Sequence, residues 1–357
     1  MDLTPSSARS WPPTVSAVLF LVLLGILFSG RAQEPGAAGT GERSPVLFIA
    51  GQSREEFQSY LDDVSDGGRA CPRPGGASFY TALNLSGVKS PHANLPGDHR
   101  QDLRFLANQD GPLVILIGLW LSPEQLPRIA VGGMQREIEA LHDSLRDLKR
   151  PVLLRVGYEF DGPHNRYPPD AFIEAWRRIA LVMRRTPDIQ LVWHSFAMLP
   201  TFANYPVTAW YPGDDLVDWI GVSYFQVGAE GYHEAPNRDA LVAIAREKKK
   251  PLLVAEASPI RYTPRQKTLA GKAYWDYWHG PFLDFIRRTP ELRAAAYIQV
   301  DWDSQAQHRP LDWGDCRLDR DAHVLEHWRN AARESFWLRP SDTLYEQVRA
   351  MANSPGE

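Results

Sequence analysis

The sequence predicts a single (β/α)8 TIM barrel, on three observations. From residue 45 to residue 335, short apolar runs rich in β-branched residues alternate with segments of helical periodicity, giving eight strands and about eight helices. No G-x-G-x-x-G turn follows the first run and no repeat divides the chain, which disfavours a doubly wound sheet. The acidic and aromatic residues best suited to chemistry all follow strand C-termini, the face on which such barrels carry their sites.

The first strand, Val46 to Ala50, leads through Gly51-Gln52-Ser53 into an amphipathic helix carrying Phe57, Tyr60, Leu61 and Val64, with Ser53 as its N-cap. A Gly- and Pro-rich loop precedes the second strand, Ala77 to Leu83, and a helix is expected near Asp98 to Asn108. Leu113 to Leu119 is the third strand, ending at Trp120, and Ile138, Leu141, Leu145 and Leu148 mark the helix from Met134 to Leu148. Val152 to Val156 is too short and too β-branched for a helix, so it reads as a strand covered on both faces. The helix from Pro169 to Arg185 then starts with proline and aspartate, as helices prefer. Ile189 to His194 is the fifth strand, and residues 200–210 form a loop or short helix. The sixth strand, Val217 to Tyr224, precedes a helix from Asp239 to Lys249 whose basic end suits the dipole. Leu252 to Glu256 and Ala294 to Val300 are the last strands, followed by helices over Tyr274 to Arg288 and Ala322 to Glu334. Residues 336–357 read as a C-terminal extension.

With 357 residues and 44% hydrophobic content, the chain can bury a large core. A net charge of -4 with scattered Lys and Arg lacks the basic footprint of a nucleic-acid binder. The apolar run from Val15 to Phe28, closed by Ser29-Gly30-Arg31-Ala32, has the layout of a secretory signal peptide over residues 1–32, with an uncleaved membrane anchor as the alternative. The run is shorter than the roughly 17–25 residues of a spanning helix. Residues 33–44 are small and polar and read as a flexible linker. A secreted monomer is expected, meeting a membrane only if the first segment is retained. Cys71 and Cys316 are the right number for one disulfide. Their assignment to opposite ends of the barrel argues against pairing, while the long loop before the second strand leaves a route open. Asn84-Leu85-Ser86 is a glycosylation sequon. Neither a metal nor a cofactor is expected, since no H-E-x-x-H or zinc spacing is present.

The chemistry concentrates on two glutamates. Glu159 follows the fourth strand and Glu256 ends the seventh, each delivered by an apolar run. Facing each other across a barrel mouth about 5–5.5 Å apart, such a pair can cleave a glycosidic bond with retention, one as acid/base and the other as nucleophile. Alternation along the strand points residues 155, 157 and 159 inward, so the Arg155 guanidinium can pair with a carboxylate and keep it anionic. Trp120, Tyr158, Tyr224 and Trp302 offer flat apolar faces for sugar rings. His194 and Trp120 serve equally well as packing at the barrel top.

Arg155-x-Gly157-Tyr158-Glu159-Phe160-Asp161-Gly162, with Phe172-Ile173-Glu174-Ala175-Trp176-Arg177-Arg178 downstream, resembles the acid/base region of glycoside hydrolase family 26, the β-mannanase family. Asp218-Trp219-Ile220-Gly221-Val222-Ser223-Tyr224 and Ala255-Glu256-Ala257 resemble its strand-six and nucleophile motifs, so the likeness runs over roughly residues 46 to 330. It implies a retaining hydrolase of β-linked polysaccharide or oligosaccharide, with Glu159 as acid/base and Glu256 as nucleophile. It further implies that Arg155 and Tyr224 hold the nucleophile and that Trp302 forms a platform under the sugar. The family usually carries histidine immediately before the acid/base. Here Tyr158 stands there, which marks a divergent branch whose sugar need not be mannose. The alternative is a barrel that has lost catalysis and only binds carbohydrate.

Overall fold

The structure is a computed structural model that describes residues 43–92, 101–198, 200–225, 234–259 and 269–353. The signal segment 1–32 and nearly all of the linker 33–44 lie outside the described residues. Eight parallel strands form a closed barrel: β1 (Val46–Gly51), β2 (Gly76–Ala82), β3 (Val114–Trp120), β4 (Val152–Val156), β5 (Ile189–Ser195), β6 (Trp219–Tyr224), β7 (Leu252–Ala257) and β8 (Leu292–Tyr297). Each strand pairs with the next, and β8 returns to β1 to complete the ring. This is the (β/α)8 barrel expected from the alternation of strands and helices. β8 starts and stops earlier than its apolar run suggests, because Ile298 and Val300 pack in a separate cluster with Met198, Phe225 and Trp302 above the strand.

The outer layer contains α1 (Arg54–Ser59), α2 (Gln125–Ala130), α3 (Gln135–Arg146), α4 (Pro169–Met183), α5 (Glu234–Lys248), α6 (Gly271–Tyr274), α7 (Gly280–Arg288) and α8 (Ala322–Ala331). Ser53 caps α1 as expected, its hydroxyl accepting the Glu56 N–H at 3.4 Å. Two crossovers differ from expectation. Only a short 3-10 turn, Leu103–Asn108, stands where a second helix was expected, residues 98–100 lying outside the described set. After β5 the chain makes two 3-10 turns, Phe202–Asn204 and Val207–Trp210.

The C-terminal segment is part of the barrel rather than an appendage. Strand β9 (Trp337–Leu338) pairs with β1, and helix α9 (Leu344–Asn353) follows. Leu344, Val348 and Met351, a helical stripe at i, i+4 and i+7, join an inner cluster with Leu47, Ile49, Leu116, Leu153, Val192 and Trp219. The helix thereby plugs the N-terminal mouth. The inner layers are apolar at this end, and polar side chains are left for the opposite one.

Cys71 and Cys316 are free and buried, so the disulfide that their number allows is not formed. Cys71 precedes β2 and its thiol faces the Val64 carbonyl at 3.8 Å, whereas Cys316 follows β8 and donates to the Pro259 carbonyl at 2.8 Å. They sit at opposite ends of the barrel. Asn84 is exposed, and its side-chain oxygen accepts the Ser86 N–H at 3.0 Å in a local turn. No helix among the described residues is long and apolar enough to cross a membrane.

Candidate active site

Two backbone irregularities bring the glutamates to the barrel mouth. On β7, alternation from the inward Leu253 would turn Glu256 outward. The pairing of β6 with β7 shifts between Val222 and Ser223, so that Ser223 lies opposite Glu256 and both face the interior. A bulge of this kind inserts one residue and re-aims the side chains beyond it. On β4, alternation would carry residues 157 and 159 inward with Arg155, but the strand ends at Val156 and residue 157 faces Phe172, Tyr167 and Leu121 in the outer layer, so Glu159 reaches the interior by another route. The chain leaves the extended conformation at Gly157 (φ 53°), and Glu159 itself is left-handed (φ 51°). A Cβ at residue 157 would lie 2.9 Å from the Phe172 ring, so glycine is required there. A left-handed glutamate costs on the order of 1–3 kcal/mol and persists only when its surroundings hold it. Asn165 supplies part of that hold, its amide donating to the carbonyls of Tyr158 (2.8 Å) and Glu159 (3.0 Å). The Asp161 carboxylate supplies more, accepting the Ser195 hydroxyl and the Phe196 N–H, both at 2.7 Å. Burial pushes Asp161 up to about 6, against these two donors.

Glu256 is held by groups that cannot lose their donors at neutral pH. Its Oε1 accepts from the Arg155 guanidinium and, at 2.5 Å, from the Tyr80 hydroxyl. The Gln52 side-chain oxygen lies 2.8 Å from the same hydroxyl and is a second acceptor for it. The guanidinium lies 4.8 Å from the centre of the Tyr80 ring and 5.4 Å from that of Tyr158, and those two rings meet edge-on at 5.0 Å. Gly118 opposite leaves room for this stack, since a Cβ there would be 2.5 Å from the Tyr80 ring. Burial and then the nearby charge of Glu159 push Glu256 up to about 7, while Arg155 and Tyr80 pull it down.

Glu159 has different company. Ser223 donates to its Oε1 at 2.6 Å, and His164 Nε2 lies 3.0 Å from its Oε2. His194 stands behind, its Nε2 3.0 Å from the Ser223 oxygen. Because the serine hydrogen goes to Glu159, His194 must donate from Nε2 to Ser223 while the carboxyl is ionised. Burial, followed by the charges of Arg155 and His164, holds His194 well below the ordinary histidine range, so it is neutral.

Both glutamates line one cleft together with Gln52, Tyr80, Tyr158, His164, Phe196 and Trp302. Trp302 is in place as a wall, tethered by its indole N–H to Ser258 at 3.1 Å and flanked by Trp313 at 5.1 Å. Tyr158 lines the cleft as expected, with a buried hydroxyl that has no hydrogen-bond partner among the described residues. Arg155 pairs with a carboxylate as expected, and that carboxylate is Glu256.

Three expected contacts take other positions. Tyr224 points outward, packed against Trp278, Phe282 and Phe285 with Arg238 over its ring at 4.6 Å, because it is the outward neighbour of the inward Ser223. Tyr80 of β2 supplies the phenol that was assigned to Tyr224. His194 is completely buried and supports the site through Ser223 rather than from the cleft. Trp120 packs against the Tyr80, Ala82 and Tyr158 cluster and is not among the residues lining the cleft. The sequence reading missed Tyr80, Ser223, His164 and Gln52. Ser223 was within reach, since it lies inside the quoted Asp218 to Tyr224 motif one register step from the residue chosen. No group of three metal-ligating side chains occurs among the described residues.

The fold and this site define the class: the chain is a (β/α)8-barrel glycoside hydrolase. No family model matches it. It is 30% identical over 333 residues, 87% of this chain and 69% of the relative, to a β-1,3-xylanase of a Vibrio species. A second β-1,3-xylanase, from an Alcaligenes species, is 28% identical over 330 residues, 86% of this chain and 68% of that protein. A mannanase from Bacillus subtilis shares the fold with a TM-score of 0.53 at 17% identity, covering 85% of this chain and 89% of that one. A family 26 β-mannanase from Bacteroides ovatus gives 0.54 at 14% identity, over 85% and 93%. The chain belongs to glycoside hydrolase family 26, as a divergent member.

Proposed function

We propose that the chain is a retaining hydrolase of a β-linked polysaccharide, with Glu256 as nucleophile and Glu159 as acid/base. The observation that carries this is the contrast in donors within one cleft. Glu256 is bound by a permanent cation and a phenol, whereas Glu159 is bound by a hydroxyl and an imidazole that can gain or lose a proton. On this contrast Glu256 is the carboxylate that works ionised and Glu159 the one that carries and releases a proton. In the first step Glu256 attacks the anomeric carbon, the bond to the leaving oxygen breaks, and that oxygen takes its electron pair and the proton of Glu159. In the second step Glu159 removes a proton from water, whose oxygen displaces Glu256 from the same carbon. Trp302, Phe196 and Trp313 offer apolar faces against which pyranose rings can lie.

β-1,3-Xylan is the first substrate to test, because the two relatives named above are β-1,3-xylanases. A mannan is the second, on the resemblance of motifs. Export of the chain remains part of the proposal, resting on the apolar run over Val15 to Phe28. The test is hydrolysis of a panel of β-1,3-xylan, β-1,4-xylan and β-1,4-mannan, with proton NMR of the first-formed anomer. The β-anomer is expected from wild type, together with a loss of at least ~10⁴-fold in kcat for Glu256→Ala. The α-anomer, or an undiminished Glu256→Ala, would overturn the assignment.

A further inference from the structure

Two histidines flank Glu159, and the structure treats them oppositely. His194 is walled in behind Ser223 and held neutral. His164 lies in the cleft with its side chain 45% exposed, and its Nε2 is 3.0 Å from Glu159 Oε2. Its position is built rather than incidental. A Cβ on Gly162 would come within 2.3 Å of His164 Cε1 and 3.0 Å of Nε2, so the imidazole lies flat on the bare glycine. The Phe196 ring closes the other side edge-on at 5.0 Å. The loop is pinned by bonds from Gly162 N–H to the Glu159 carbonyl (2.9 Å) and from Asn165 N–H to the Gly162 carbonyl (3.1 Å).

We propose that His164 is the proton-holding partner of Glu159: imidazole Nε2 and carboxyl Oε2 share the proton that Glu159 delivers to the leaving oxygen and recovers from water. The inference rests on Glu159 being the acid/base. When the glycosidic bond breaks, the proton passes from Oε2 to the departing oxygen, leaving a carboxylate beside a neutral imidazole. Water then gives its proton back to the pair as its oxygen bonds to the anomeric carbon and the ester to Glu256 breaks. The charged groups facing His164 from the elements around it favour this. Burial lowers its proton affinity, but the bond to Glu159 and the charges of Glu159, Glu256 and Asp161 outweigh it and leave His164 above the ordinary histidine range. His194, across the carboxyl, is neutral and opposes it little. A carboxyl alone gives up its proton at lower pH than an imidazolium does. The partner therefore keeps the acid loaded into the neutral range.

The experiment has two arms. In the first, His164 is titrated by nitrogen-proton NMR of the imidazole in the wild-type chain and in Glu159→Gln. Titration above about 6.5, falling in Glu159→Gln, is expected. Titration at or below that value in the wild type overturns the inference, whatever the enzyme does with glycans. In the second arm, pH profiles of kcat/KM are measured on β-1,3-xylan and on a dinitrophenyl β-xylobioside for wild type, His164→Gln and Gly162→Ala. Both variants should move the alkaline limb on xylan down by about one unit or more and cost roughly 10–100-fold at pH 7. The dinitrophenyl substrate, whose leaving group needs no proton, should change by less than about threefold. Equal losses on both substrates with unmoved limbs would reduce His164 to packing and overturn the inference. Turnover of none of the glycans, with His164 still titrating high, would count against the hydrolase assignment and leave the shared proton standing.

Discussion

The two glutamates of the cleft are delivered and surrounded in different ways. Glu256 comes from a strand, turned inward by a register shift, and its Oε1 accepts from Arg155 and Tyr80. Glu159 comes from a loop through two left-handed residues, and its partners are Ser223 and His164. One acid sits in a rigid, permanently charged frame, and the other in a frame whose protons can move. A double displacement requires this asymmetry, because the nucleophile must stay ionised while its neighbour cycles.

Removing the permanent charge should break the contrast most severely. Arg155→Met leaves the Glu256 carboxylate buried without its cation, and loss of one partner of a buried pair costs about 3–5 kcal/mol. Uncompensated burial would also drive Glu256, the proposed nucleophile, to its protonated form. The expected result is a loss of more than ~10³-fold in kcat/KM across the pH range, with a fall in Tm read by calorimetry. Tyr80→Phe is the milder version, since it removes one hydrogen bond to a charged group, worth about 1.5–3 kcal/mol. Here the sign of the pH effect is informative. Tyr80 lowers the affinity of Glu256 for its proton, so without it the anionic nucleophile forms only at higher pH. The acid limb of kcat/KM should move upward, while His164→Gln should move the alkaline limb downward. If both variants moved the same limb, the two acids would not be distinguished as described.

The barrel was legible because its causes are local. Apolar runs of five to seven residues and helical stripes such as Ile138, Leu141 and Leu145 state their own geometry. Both glutamates were legible for a similar reason, since each stands where an apolar run stops. Their companions were harder to find. Tyr80 is 176 residues from Glu256 in sequence and meets it only because β2 and β7 share a barrel mouth. The shift on β7 leaves no Gly or Pro signature, and a left-handed glutamate is the last residue type that turn chemistry suggests. Helix α9 did carry a stripe, Leu344, Val348 and Met351, but nothing local tells a plug from an extension. Tyr224 was misassigned by a single register step, and on a strand one step is the difference between cleft and outer wall.

That step supports the finest test of the contrast. Ser223 and Tyr224 are neighbours on β6, one donating to Glu159 and the other packed among Trp278, Phe282 and Phe285. Ser223→Ala removes a donor from the Glu159 carboxylate and strands the buried His194 Nε2, so by the same sign it raises the proton affinity of Glu159 and should slow the proposed step in which that residue acts as acid. A loss of roughly tenfold or more in kcat is expected, from the lower end of the about 1.5–3 kcal/mol of a hydrogen bond to a charged group. Tyr224→Phe keeps the ring in its aromatic pocket and touches neither carboxylate, so kcat/KM should stay within about twofold and both limbs of the pH profile should hold. A Tyr224→Phe variant that shifted the acid limb as Tyr80→Phe does would mean that its hydroxyl reaches the nucleophile during turnover, and β6 would have to turn by one residue to bring it there.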